Sequence, residues 1–334
     1  MSVLLESCPA CGDSGREFVE SVRGFDIVRC ATCRLEYTWN PTVDLQDYSR
    51  TYGGGTDFLL NPRPYAAPAA RLALEGDAFF RPSPHLTVTE RWVLRRIVAH
   101  VPMHAPVLDI GCGTGRFLHA LRRRSYQAIG VDPAAPVVAG LQRLGLEAHL
   151  GSMPGLDWDG PAPHAVTLFE VLEHLPDPIA VMREIRTRFP GAFVGASVPS
   201  PFRAGLRHGR GPTDYPPNHF LRWTPLSLER AFRRAGYRRI EVAVPDPEGS
   251  ELLAGVGTLI PLRLLRRLGA TDPNGARNPM PIRDRPIPRR LLATAILVGH
   301  TAWGVVAGLL GSRRARAAAR EGWSSASMAV WAEP

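Results

Sequence analysis

Apolar residues recur along the 334-residue chain in three different rhythms. Over Thr87–Val101, apolar Val88, Trp92, Val93, Ile97 and Val98 recur about one helical turn apart, at intervals of four and five, which predicts an amphipathic helix. Beyond it, short apolar runs alternate with helical stretches. Val107–Ile110, Ala128–Val131, Ala165–Phe169, Ala192–Val198, Ile240–Val244 and Ala326–Trp331 read as strands. Phe117–Arg124, Val137–Leu144, Ile179–Phe189 and Pro225–Ala235 read as helices, the last closed by Gly236. Such alternation predicts an α/β fold with a doubly wound, mainly parallel sheet. Near the start, Glu17–Val22 and Phe25–Val28 alternate with period two around an Arg23-Gly24 turn, as two short strands would. Residues 41–85, rich in Pro, Gly, Tyr and Asp, follow neither rhythm and read as a linker or lid. The third rhythm is unbroken: Leu291–Gly311 runs for 21 residues without a charge.

Composition sharpens this picture in one respect. The net charge is +9, every basic residue is arginine, and the charge is uneven. Residues 1–180 hold 16 Arg against 20 acids, and residues 181–320 hold 24 Arg against 9. A basic second half suits an anionic partner, whether lipid headgroups, a phosphorylated substrate or nucleic acid, and equally a solvated face. The first residues, MSVLLESCPACG, lack the basic and apolar regions of a signal peptide, so a cytoplasmic protein with reduced thiols is expected.

Four of the five cysteines form two C-x-x-C pairs, Cys8/Cys11 and Cys30/Cys33. That spacing is the pattern of a zinc ribbon, in which each knuckle turns two thiolates toward one tetrahedral Zn2+. Disulfide pairing is the alternative, and a reducing compartment opposes it. With four thiolates the ion would be structural, and about forty residues would need its binding energy to fold.

The fifth cysteine lies in Val107–Phe117, VLDIGCGTGRF. The glycines there are spaced G-x-G-x-G, and Arg116 stands where a dinucleotide-binding loop has its third glycine. Asp109 just before the loop would repel a pyrophosphate and attract a cationic centre. Asp132 ends the next strand, placed to accept hydrogen bonds from ribose hydroxyls. These residues, with Phe169-Glu-Val-Leu-Glu-His174, resemble the class I S-adenosylmethionine-dependent methyltransferases over roughly residues 88–332. The resemblance implies a Rossmann-like seven-stranded methyltransferase sheet whose last strand returns antiparallel. It also implies a cofactor site of Asp109, Gly111, Cys112, Gly113, Gly115, Asp132, Pro133, Ser152, Met153, Phe169 and Glu170. Asp109 would face the amino-acid part of S-adenosyl-L-methionine and Asp132 the ribose. Ser152 stands where the family commonly has an adenine-binding Asp.

The sulfonium of that cofactor is already activated, so the protein must align a nucleophile and, for a hydroxyl, supply a base. His174, after the fourth strand, and His219, in the Pro216–Trp223 loop after the fifth, are the candidate catalytic residues, and Glu173 could orient either. Arg203, Arg207 and Arg210 are candidates for a substrate anion. The ribbon plus methyltransferase core resembles bacterial enzymes of sugar and secondary metabolism. The Phe169–Pro176 neighbourhood resembles quinone-biosynthesis O-methyltransferases. We therefore expect methyl transfer, O-methylation favoured, to a small-molecule, sugar or lipid-linked acceptor. A zinc-ribbon RNA methyltransferase and a non-catalytic binding protein are the alternatives. Nucleic acid is disfavoured because the fourth strand end lacks an N/D-P-P-Y/F run and the ribbon is not densely basic.

The domains expected are a ribbon (1–40), a linker or lid (41–85) and a methyltransferase domain (86–334) with a hydrophobic helical insert at about 250–318. As a helix, Leu291–Gly311 would be about 32 Å long, enough to cross a bilayer. A single crossing would put the sixth and seventh strands on opposite sides. One or two helices lying on the inner face of the membrane, or packing over the substrate mouth, are therefore expected, with a buried helix or a partner-chain contact as the alternative.

Overall fold

The computed structural model describes residues 5–22, 24–40, 86–153, 155–203, 206, 210, 214–216, 218–247, 320–322 and 324–334. Two sheets organise them. The larger contains β4 (Pro106–Ile110), β5 (Gln127–Asp132), β6 (Glu147–Leu150), β7 (Ala165–Phe169), β8 (Phe193–Pro199), β10 (Arg238–Ala243) and β11 (Ser327–Glu333). Its strand order is β10-β11-β8-β7-β4-β5-β6. Strands β6, β5, β4, β7 and β8 are mutually parallel, while β11 runs antiparallel between β8 and β10. This is the Rossmann-like methyltransferase sheet expected from the sequence. Strands β4, β5, β7 and β8 are buried on both faces, which is why they read as continuous apolar runs rather than alternating ones.

Helices α1 (Val88–His100), α2 (Arg116–Arg122), α3 (Ala135–Arg143), α4 (Pro178–Arg188) and α5 (Pro225–Ala235) accompany the sheet. Helix α1 starts at a capping box: the Glu90 N–H donates to Thr87 Oγ1 (3.1 Å) and the Thr87 N–H to Glu90 Oε2 (2.6 Å). Helix α5 repeats the device with Thr224 and Ser227 and ends on Gly236 at φ +100°.

The smaller sheet has the order β1-β2-β3-β9, from β1 (Arg16–Val22), β2 (Phe25–Cys30), β3 (Glu36–Thr38) and β9 (Leu221–Arg222). β1 and β2 form the expected hairpin. The third and fourth strands were not expected, and β9 comes from the far side of the chain. The N-terminal segment therefore has no separate core. Its Val28, Leu35 and Tyr37 belong to one buried cluster with Leu228, Ala231 and Phe232 of α5. Residues 1–40, expected as a domain of their own, fall with the larger sheet in one compact unit, Met1–Pro201, Gly209–Pro245 and Ser327–Pro334.

A second unit comprises Phe202–His208 and Asp246–Ala326. Within it, Arg203 and Ser324 form a parallel bridge, and the Ser324 N–H donates to Phe202 O (2.9 Å). The linker or lid at 41–85, Arg207 and the apolar stretch Leu291–Gly311 lie outside the described residues. Among the described residues no helix is long and apolar enough to cross a membrane.

Candidate active site

The loop Gly111–Gly115 leaves the carboxyl end of β4 and opens α2. It is stitched to β5, since the Gly111 and Cys112 N–H groups both donate to Val131 O at 2.7 and 3.1 Å. Gly111, Gly113 and Gly115 all take left-handed φ, +73°, +50° and +69°. Space is as restrictive as conformation. A Cβ on Gly111 would lie 2.7 Å from Val171 Cγ2, and one on Gly115 2.5 Å from Leu141 Cδ2. Cys112 contributes backbone to the turn. Its thiol points inward, where a Cβ on Gly130 would meet it at 2.7 Å, and burial holds its pKa high. Arg116 pairs with buried Glu90 at 2.6 Å, joining the start of α2 to α1.

Asp109 lies opposite Gly130 one residue before the end of β4, Asp132 ends β5 two residues further along, and both are buried. Asp132 uses each oxygen to fix the loop: Oδ2 accepts from the Gly113 N–H (3.0 Å) and Oδ1 from the Ala134 N–H (2.9 Å). Burial raises its pKa against those two bonds. Asp109 is pushed up to about 7, by burial above all and by the nearby Glu90 and Asp132 charges, with the Thr167 hydroxyl bond (2.6 Å) opposing. Two buried carboxylates under mutual repulsion form a well for a cationic ligand.

The other expected cofactor residues surround the same strand ends. Pro133 follows Asp132 directly. Ser152 is exposed just past β6, whereas the Met153 side chain is buried in the core cluster. Phe169 ends β7 with its ring 4.6 Å from that of Phe117. Glu170 takes a left-handed φ of +55°, its N–H donates to Ser197 O (2.9 Å), and its carboxylate accepts from Ser197 Oγ (2.7 Å).

The two candidate histidines are brought together, their rings 4.8 Å apart. His174 ends a short 3-10 turn, Leu172–His174, after β7. Its Nδ1 lies 2.6 Å from Asn218 O, and since a carbonyl only accepts, that nitrogen carries the proton. Burial, outweighing hydrogen bonds to the Asn218 and Glu170 backbone, pushes its pKa down to about 4. The ring is thus neutral at pH 7. His219 Nδ1 lies 3.8 Å from Asp214 Oδ1, and His174 Nε2 lies 3.9 Å from buried Glu173 Oε1. Glu173, His174 and His219 present ligand atoms all within 4.8 Å, a donor set that could hold a divalent cation. Asp214 was not among the sequence candidates; an acid five residues before a histidine in a loop carries no readable signal.

The four paired cysteines converge as well, their sulfurs all within 4.8 Å. Cys8 Sγ lies 3.6 Å from Cys33 Sγ, and Cys11 Sγ 3.5 Å from Cys30 Sγ, too far for disulfides. Four sulfurs on a tetrahedron with bonds of about 2.3 Å are about 3.8 Å apart, so the cluster fits Zn2+. Hydrogen bonds from Cys33 and the backbone hold Cys8 down at about 5, while sharing that proton and burial push Cys33 up. Each knuckle closes with a left-handed residue just after its second cysteine, Gly12 at +81° and Arg34 at +61°. Arg210, a candidate for a substrate anion, is instead paired with Glu36 (2.8 Å) and Glu20 (3.5 Å).

Comparison with known proteins adds to this geometry. Residues 83–242 match the family model described as a methyltransferase domain. A ubiquinone biosynthesis O-methyltransferase of Xanthomonas campestris pv. campestris (strain B100) is 36% identical over 86 residues, covering 24% of this chain and 36% of that protein. Its counterpart in Stutzerimonas stutzeri (strain A1501) is 40% identical over 88 residues, 24% of this chain and 38% of that one. The chain spans little more than a third of the length of these curated relatives. Among solved structures, a SAM-dependent methyltransferase from Archaeoglobus fulgidus aligns at 16% identity and a TM-score of 0.41, covering 73% of this chain and 94% of that one. Phosphoethanolamine N-methyltransferase 2 of Haemonchus contortus, solved with S-adenosyl-L-methionine, aligns at 13% identity and a TM-score of 0.49, covering 89% of this chain and 62% of that one.

Proposed function

We propose that this chain, whose residues 83–242 match a methyltransferase-domain model, moves the methyl group of S-adenosylmethionine to an oxygen of a small-molecule, sugar or lipid-linked acceptor. The observation that carries the choice of oxygen is the neutral His174, held by its Nδ1–H beside His219 at the end of β7. A hydroxyl attacks only as its proton leaves, and a neutral imidazole is the group that takes it. Asp109 and Asp132 receive the cationic cofactor, and the glycine loop lets it approach the backbone. When bound, S-adenosylmethionine would supply a methyl group already activated on its sulfonium and would leave as the neutral thioether. His219 or His174 would take the proton that the acceptor hydroxyl gives up. The partial similarity to ubiquinone biosynthesis O-methyltransferases supports the same choice.

Cys8, Cys11, Cys30 and Cys33 would hold a structural Zn2+, which supplies folding energy and takes no part in the reaction. The lipid-linked class of acceptor, and a peripheral site on the inner membrane face, rest on the basic residues 181–320 and on Leu291–Gly311. The test is incubation of metabolite and lipid extracts with the protein and methyl-labelled cofactor, followed by mass spectrometry. A labelled methyl ether or ester is the expected product. Label on nitrogen or carbon overturns O-methylation, and no label in any extract, with cofactor bound, overturns catalysis.

A further inference from the structure

The His219 loop is built between two walls. On one side the Phe220 N–H donates to Glu173 O (2.9 Å), and Asn218 O accepts from His174 Nδ1. On the other side stands the cysteine-bearing sheet. Phe220 O accepts from the Thr38 N–H (2.9 Å) and from Thr38 Oγ1 (3.2 Å), and β9 pairs Glu36 with Arg222 and Tyr37 with Leu221. The register sets Arg29 and Arg222 across from one buried carboxylate, and Arg210 joins them from outside the sheet. Glu36, 6% exposed, binds Arg29 (2.6 Å), Arg210 (2.8 Å) and Arg222 (3.0 Å). Of these, Arg222 reaches back into the loop. Its Nε donates to Asp214 O (3.1 Å) and its guanidinium lies over the Tyr215 ring, 5.0 Å from the centroid. Tyr215 O in turn accepts from the Asn218 and His219 N–H groups at 3.1 and 3.2 Å.

We propose that Glu36 is a positioning residue for His219, acting through Arg222, so that the cysteine-bearing sheet is one wall of the methyl-acceptor site. The inference rests on the methyl-transfer reading for its consequence in activity and on geometry alone for its structural part. A carboxylate holds a guanidinium more tightly than an amide does. Removing that charge leaves three crowded arginines with only the half-exposed Glu20 near Arg210 and Arg222, at 3.5 and 3.6 Å, and their repulsion loosens Arg222 from its bonds to the Asp214–Tyr215 turn. The turn then ceases to fix the backbone that carries His219.

The experiment uses the full zinc-loaded chain with Glu36→Gln and, from the other side of the same link, Arg222→Gln. Zinc stoichiometry and cofactor affinity should stay at wild-type values. Amide exchange over residues 214–222 should quicken about tenfold in both variants, with no change over residues 107–132. The ring signals of His219 should shift by NMR while those of His119 stay in place. Methyl transfer should fall about tenfold or more, because misplacing a catalytic group is costly, and Glu36→Asp should recover much of it. Wild-type exchange over 214–222 in both variants overturns the proposal. So does loosening that is uniform along the chain, which would make Glu36 a general stabiliser. Should Glu36→Gln fail to retain zinc, Arg222→Gln decides alone. A wild-type protein that transfers no methyl group sinks the functional reading, while the exchange and ring-signal results still judge the positioning of His219.

Discussion

Asp132 and Asp109 lie on neighbouring strands but do different work. Asp132 spends both oxygens on backbone donors, so an Asp132→Asn side chain would turn its NH2 toward one of two N–H groups whichever way it flipped. Losing a charge-assisted bond costs about 1.5–3 kcal/mol, so cofactor affinity should fall roughly ten- to a hundredfold by calorimetry. Asp109 is the titrating member, at about 7. Its folded pKa is raised, so its contribution to apo-protein stability is full below the unfolded carboxylate pKa. It is lost as pH rises through about 7, to an extent of about 4 kcal/mol. A bound cation favours the carboxylate, so cofactor binding between roughly pH 5 and 7 should release a proton. Calorimetry in two buffers of different ionisation heat would detect it. Thr167→Val removes the one hydroxyl bond that favours the charged form, and should increase the proton released and weaken binding at pH 7. Both carboxylates were legible because each marks a strand end in a recognisable loop. The loop's other expected members were legible only as positions: nothing in the order of residues says that the Cys112 thiol faces Gly130 or that Met153 turns into the core.

At the scale of elements, the loop and the caps carry the local instructions. A Gly115→Ala side chain would be strained at φ +69° and would strike Leu141 and Leu146. Strain of about 1–2 kcal/mol plus overpacking of about 1–3 should lower the melting temperature by several degrees. Thr224 caps α5 and also donates to Cys33 O at 2.9 Å. Thr224→Ala should therefore cost about 1–2 kcal/mol in chemical denaturation and loosen the second cysteine knuckle with it. Most of the large sheet could be read from periodicity because its inner strands are buried on both faces. β6 could not, because Glu147-Ala-His-Leu150 is a four-residue edge strand with one buried position. β3 and β9 were hidden for different reasons. β3 is three residues long and buried throughout, so it shows no alternation, and β9 pairs with a strand almost two hundred residues away, which leaves no local pattern. The same long-range pairing explains why Glu36, a lone acid between apolar neighbours, gave no sign of its three arginine partners.

At the scale of the molecule, the cysteine-bearing segment and the large sheet with its helices share a core, so they should not come apart separately. A strong chelator, or acid that protonates the thiolates, should release one Zn2+ per chain and expose residues 5–40 to protease. It should also speed amide exchange in α5, whose Leu228 and Phe232 pack in the cluster with Leu35 and Tyr37. Limited proteolysis followed by mass spectrometry would show whether both regions yield together. One further consequence follows from the place of β11. Among the described residues it is the only neighbour of β10 in the large sheet, and it reaches β8 on its other side. Yet Ser327 follows Ala243 by 84 positions. A growing polypeptide on the ribosome therefore lays down β8 and β10 long before it makes the strand that must slide between them. A stall-sequence series should show no pulling force from sheet closure until Glu333 has cleared the exit tunnel. Until then, the open flank of β8 is bait for chaperones.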